Sequence, residues 1–148
     1  MEAEIIKPVV ALVAWTLFMW LWMYATRIPA MQKVEGLDVN KLVGGTGANL
    51  DAILPPHIQW KAHNYNHLHE QPTIFYAVAI ALALIDPQNA TNVALAWGYV
   101  GFRVAHSLVQ ATVNKVAIRF ALFTLATLCL IGLAANAVIV AFRLSGAA

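Results

Sequence analysis

Charge is what this sequence has least of. Lys, Arg, Asp and Glu make up 11% of its 148 residues, against ~25% in an ordinary soluble domain. Hydrophobic residues reach 61%. A soluble fold of this size leaves much of its surface in water, too much for such a composition to remain dissolved. Lipid is the solvent it implies. A net charge of +2 with no basic run excludes a nucleic-acid binder. The single cysteine, Cys129, forms no internal disulfide and reads as a small buried hydrophobe. There is no internal repeat and no low-complexity tract, so residues 1–148 form one membrane domain.

What is present is a set of long apolar runs. A spanning helix needs ~20 mainly apolar residues, and four segments supply or approach this: about 5–26, 56–85, 89–113 and 117–142. In the first, Glu2 and Glu4 replace a basic leader. Trp15, Trp20 and Trp22 are bulky, and no small-residue cleavage site follows, which favours a retained anchor over a signal peptide. The second has a polar first half and an apolar second half. It reads as one helix, kinked at Pro72 and ended by Asp86-Pro87. Residues 28–55 form a loop rich in Gly and Pro, with a short helix expected at 37–43. The fold class is therefore all-α, an integral membrane four-helix bundle. Arg27, Lys33, Lys41, Lys61, Lys115 and Arg119 lie towards the first and third loops, leaving Lys7 and Arg143 on the other side. Those loops should face the cytoplasm, with both termini away from it and the site opening to the cytoplasmic side. Short connections suit a bacterial inner membrane.

Ionisable groups at membrane depth are functional candidates by default, because each costs several kcal/mol unless paired or hydrated. Here they fall in two clusters. His63, His67 and Glu70 share one helical face, bordered by Asn66; Arg103, His106 and Gln110 share another. If the faces meet, Glu70 and Arg103 neutralise each other. Polar side chains also join membrane helices, yet the number of groups exceeds what gluing two helices requires.

His67-Leu68-His69-Glu70, then Arg103-Val104-Ala105-His106, then Lys115 and Arg119, together resemble the MAPEG family, which includes microsomal glutathione transferases and prostaglandin E synthase. The family pattern is Asn-x-x-Glu on helix two, Arg-x-x-His-x-x-x-Tyr on helix three and an arginine at the start of helix four, preceded by another basic residue. The resemblance implies a homotrimer with sites between subunits, glutathione as co-substrate and a lipophilic second substrate. It implies that Glu70, Arg103 and His106 line the tripeptide and that Arg119 faces its sulfur as the catalytic group. His63 stands where some members carry another glutathione-binding arginine, and Arg27 stands where the resemblance implies a basic residue closing the pocket from the neighbouring subunit. Three positions depart from the pattern. His67 replaces the asparagine, with Asn66 beside it; Gln110 replaces the tyrosine; Phe120 replaces a serine found in prostaglandin E synthase. These changes argue against prostaglandin-type isomerisation.

The chemistry implied is a glutathione transferase or peroxidase for lipophilic electrophiles. A free thiol has a pKa of ≈ 8.5, lowered by nearby cations. Arg119 would add its charge to the positive end of helix four, while Arg103 and Lys115 could meet carboxylates. Two alternatives stay open. One is a non-catalytic, lipid-binding member of the same family. The other is a metal site built from His63, His67, Glu70 and His106, which nearby Arg103 would oppose.

Overall fold

A computed structural model of the chain describes residues 4–38, 41 and 43–145. Glu2, and positions 39, 40 and 42 of the short helix expected at 37–43, lie outside the described residues. Among those described there are five α-helices and no strand: α1 (Ile6–Gln32), α2 (Pro56–His67), α3 (Gln71–Ile85), α4 (Ala90–Thr112) and α5 (Val116–Ser145).

The first helix outruns its expected end at about residue 26 and continues through Pro29. A proline inside a helix removes the bond to the carbonyl four residues earlier and crowds that carbonyl, yet α1 continues past Pro29 to Gln32. It closes at Lys33, whose N–H donates to the carbonyl of Ala30 at 3.2 Å. Arg27 is thereby placed on the last turns of a helix rather than in a loop. Beyond it, the long connection carries a 3₁₀ turn at Gly47–Ala52. The turn is fastened where the Thr46 N–H donates to Oδ1 of Asn49 at 2.7 Å.

The expected kink at Pro72 is instead a break. Pro72 has no N–H, and its ring crowds the carbonyl of residue i−4, here Leu68. The chain leaves helical geometry at Leu68–Glu70, with Glu70 at φ −91°, ψ −99°, and α3 restarts with Pro72 in its first turn. Such a stop frees the last carbonyls of α2. Asp86-Pro87 ends α3, and Asn89 then caps α4, its Oδ1 accepting from the N–H groups of Thr91 and Asn92.

The core runs through Leu12, Met19, Phe75, Leu82, Tyr99 and Leu133, with the Phe75 and Tyr99 rings stacked 4.4 Å apart. α4 packs most extensively on α5. At Gly98 that approach is close enough for an added Cβ to lie 3.1 Å from Cys129 Sγ, whereas Gly101 has open space. Large apolar side chains such as Leu17, Leu21, Leu128, Ile131 and Phe142 are exposed, as expected of helices with an apolar surface turned to lipid. Three segments are long and apolar enough to cross a membrane: Ile6–Gln32, Pro56–Ile85 and Val116–Arg143. α4, expected as a fourth, is long enough but carries Arg103, His106, Ser107 and Gln110 on its buried face.

Candidate functional site

The break after α2 organises the first cluster. Arg103 on α4 is completely buried, and its Nη2 donates to the His67 carbonyl at 3.0 Å, which at the end of α2 accepts otherwise only a long bond from the Glu70 N–H at 3.4 Å. Its Nη1 lies 3.3 Å from His67 Nε2. A guanidinium only donates, so Nε2 is the accepting nitrogen and Nδ1 carries the proton. Nδ1 in turn donates to Glu70 Oε2 at 2.7 Å. The direct Glu70–Arg103 pairing expected from the sequence is thus replaced by a chain through His67. The reason is geometric: Glu70 belongs to the break, not to a continuous helical face, and its side chain is 67% exposed while Arg103 is enclosed.

His106 is the second element. Its Nδ1 donates to the Arg119 carbonyl at 2.9 Å, and its Nε2 lies 3.2 Å from Oε1 of Gln110. The His67 and His106 rings are 5.2 Å apart. Phe123 on α5 stacks on His67, with the Arg103 guanidinium 5.7 Å from its ring centroid. In front of these groups is a pocket of about 200 Å³ lined by His67, His106, Val116, Arg119, Phe120 and Phe123. Arg119 reaches it from the first turn of α5, steadied by a hydrogen bond from Nη1 to Oδ1 of Asn114. Asn114 occupies the left-handed region at φ 51°, a conformation asparagine tolerates better than most residues. Lys115 is exposed in the same turn.

Arg27, His63 and Asn66 fall in a different place. They line a second pocket of about 290 Å³ between the end of α1, the 3₁₀ turn and α2. There Asp51 accepts from Gln59 Nε2 at 2.6 Å and meets His63 Nε2 at 2.9 Å. The hydrogen bond from His63, helped by Gln59 and by the charge of Arg27, holds the Asp51 carboxyl below the usual carboxylate range against the opposing effect of desolvation. Arg27 donates to the Gly47 carbonyl. His63 and His67, one turn apart on α2, therefore line different pockets. Among the described residues no three of His, Cys, Asp and Glu stand together as a metal-ion site.

Several polar groups escaped the sequence reading. Ser107 donates to Asn64 Oδ1 at 2.9 Å, both residues fully buried between α2 and α4. Gln71 bridges Tyr99 and Thr127, and Asn136 reaches Asn92, which reaches Asp86. Their signal was available: lone polar side chains inside apolar spans need partners. Lys61 is also buried, its Nζ donating to the His57 carbonyl at 2.7 Å near the Trp22 ring.

No single curated protein and no solved structure matches the chain. The family model of the MAPEG family, in contrast, matches residues 5–139, a stretch that holds both pockets and all five helices up to the last turns of α5. On that match, and with the site it encloses, the chain belongs to the MAPEG family.

Proposed function

We propose that this protein is a membrane-bound, glutathione-dependent transferase or peroxidase acting on lipophilic electrophiles. In this reading α1, the α2–α3 pair, α4 and α5 all cross the bilayer, three copies assemble, and the α1–α2 and α4–α5 loops face the cytoplasm. The observation that carries it is the pocket in which a cation, Arg119, stands against the apolar side chains Val116, Phe120 and Phe123. A thiolate needs the first and a membrane-dissolved electrophile needs the second. Arg119 adds its charge to the positive end of α5, which favours ionisation of a thiol whose free pKa is ≈ 8.5. Holding both reactants in one partly dry cleft lowers the entropy barrier to their encounter. A volume of about 200 Å³ suits the cysteinyl part of glutathione rather than the whole tripeptide, since ligand pockets usually span ≈ 300–1,000 Å³. A neighbouring copy would supply the remaining contacts. Arg103, enclosed and occupied by His67, acts in this scheme by holding the α2 break and the His67 ring.

The test is titration calorimetry of the purified protein with glutathione, combined with the ultraviolet absorbance of a bound thiolate. Arg119→Ala should lower the conjugation rate about a hundredfold, as loss of a preorganised charge-stabilising donor does, while weakening glutathione binding far less. Wild-type turnover in that variant would remove Arg119 from the mechanism. A second reading, a non-catalytic lipid-binding protein, draws on the apolar groove of about 640 Å³ between α1 and α4, lined by Trp15, Phe18 and Trp97 among others. It predicts lipid retention without glutathione binding.

A further inference from the structure

The geometry points to the Glu70–His67 pair as the acceptor of the glutathione thiol proton, an inference that rests on the function proposed above. His67 is a ring in the same pocket as Arg119, and it stands where the family pattern carries an asparagine, which cannot take up a proton. Its two nitrogens are differentiated by what faces them. Glu70 Oε2, 2.7 Å from Nδ1, fixes the proton there and would stabilise an imidazolium. Nε2 is left with its lone pair, facing Arg103 Nη1 across 3.3 Å, at the long end of hydrogen-bond range. A carboxylate orienting an imidazole whose other nitrogen accepts a nucleophile's proton is the arrangement by which weak nucleophiles are activated. The remaining charged or titratable groups around the ring are His106, 5.2 Å away between centroids, and Arg119 across the pocket.

The step balances within the site. The S–H bond breaks and its electron pair stays on sulfur, opposite Arg119. The proton forms a new N–H bond at His67 Nε2, displacing the long contact with Arg103 Nη1. Arg103 keeps its bond to the His67 carbonyl at 3.0 Å, so the break in the helix is not disturbed. The site then holds a thiolate opposite Arg119 and an imidazolium whose charge is offset by Glu70 at 2.7 Å against the repulsion of the Arg103 guanidinium, which must turn Nη1 away from the new N–H. No proton need leave for bulk water from a cleft at the edge of lipid. After attack on the electrophile, the proton passes from Nε2 to the leaving group or to the adduct, and His67 returns to neutral.

This acceptor can be counted. Calorimetric titrations of the full-length protein with reduced glutathione, in buffers of differing ionisation enthalpy, give the protons exchanged with buffer. S-methylglutathione provides the background from all other groups, and thiolate absorbance gives the amount ionised. For the wild type, the difference between the two ligands should show almost no proton released per thiolate formed. His67→Asn, which retains a donor towards Glu70, should release about one. Glu70→Gln, which alters a largely exposed side chain and preserves the hydrogen bond, should move in the same direction, and it carries the test if His67→Asn fails to fold. Full proton release by the wild type, or equal release by wild type and both variants, overturns the assignment while leaving the thiolate reading intact. A wild type that binds glutathione without any thiolate, or does not bind it, overturns that reading and this one together.

Discussion

The turn between α4 and α5 offers a way to loosen Arg119 without altering it. Asn114 does two things there. Its backbone takes φ 51°, and its Oδ1 accepts from Arg119 Nη1. Alanine would disturb both, because a left-handed conformation costs a residue with a Cβ about 1–2 kcal/mol. Glycine adopts that conformation freely, so Asn114→Gly removes the tether alone. A hydrogen bond to a charged group contributes about 1.5–3 kcal/mol, and the lower end applies to a half-buried guanidinium. Arg119 Nε has no protein partner, so the released side chain must be re-ordered as charge develops on sulfur. With ~1.4 kcal/mol equal to a factor of ten in rate, kcat for conjugation should fall about tenfold. The glutathione Kd and the unfolding midpoint should stay close to wild type, while Asn114→Ala should lose stability as well. Steady-state kinetics and denaturation in detergent measure all three. An Asn114→Gly protein with wild-type kcat would refute the view that Arg119 acts as a pre-positioned charge.

Two further outcomes are expected. A double-mutant cycle of Asn64→Ala and Ser107→Ala should give a coupling of about 1 kcal/mol, within the ≈ 0.6–1.7 kcal/mol seen for polar pairs between membrane helices; strictly additive effects would mean that this buried bond does not hold α2 to α4. The lowered pKa of Asp51 means that its contribution is present above the ordinary carboxylate value of 3.8 and is lost as pH falls through the depressed one. Exchange protection of residues 47–52 should therefore persist from neutral pH down past 4 and drop below 3.8. Asp51→Asn should show weak protection throughout, and equal protection in both proteins would exclude Asp51 as the anchor.

The apolar runs of α1, α3 and α5 were legible because apolar length alone decides what a bilayer accepts. The two boundaries that differed most both involve proline, whose effect depends on context. Pro29 sits where the next turn can re-form, and Pro72 sits where Glu70 and Arg103 take up the slack of a full break. Periodicity placed His63, His67 and Glu70 on one face, and His67 and Glu70 do meet across the end of α2. His63, one turn earlier in the same helix, bonds instead to Asp51. That partner lies in a loop, so no helical spacing could reveal it. The clustering of Arg103, His106 and Gln110 was read correctly, since all three lie within the uninterrupted α4.

The length of α5 has a consequence for where the reaction would sit. An ideal helix of its 30 residues measures ~45 Å, half as long again as the ~30 Å hydrocarbon layer, so at least one end must emerge even when the rod is inclined. Arg119 and Arg143 stand ~36 Å apart along such a rod and bracket a stretch with no other charged residue. With a tilt of ~30°, inside the usual range, that separation projects to about the thickness of the layer, and both guanidinium groups come to rest among lipid headgroups on opposite leaflets. The rod is then a depth gauge. On the proposed function, it would hold the mouth of the Arg119 pocket at the plane where a water-borne peptide could descend and an oil-borne compound rise to meet it.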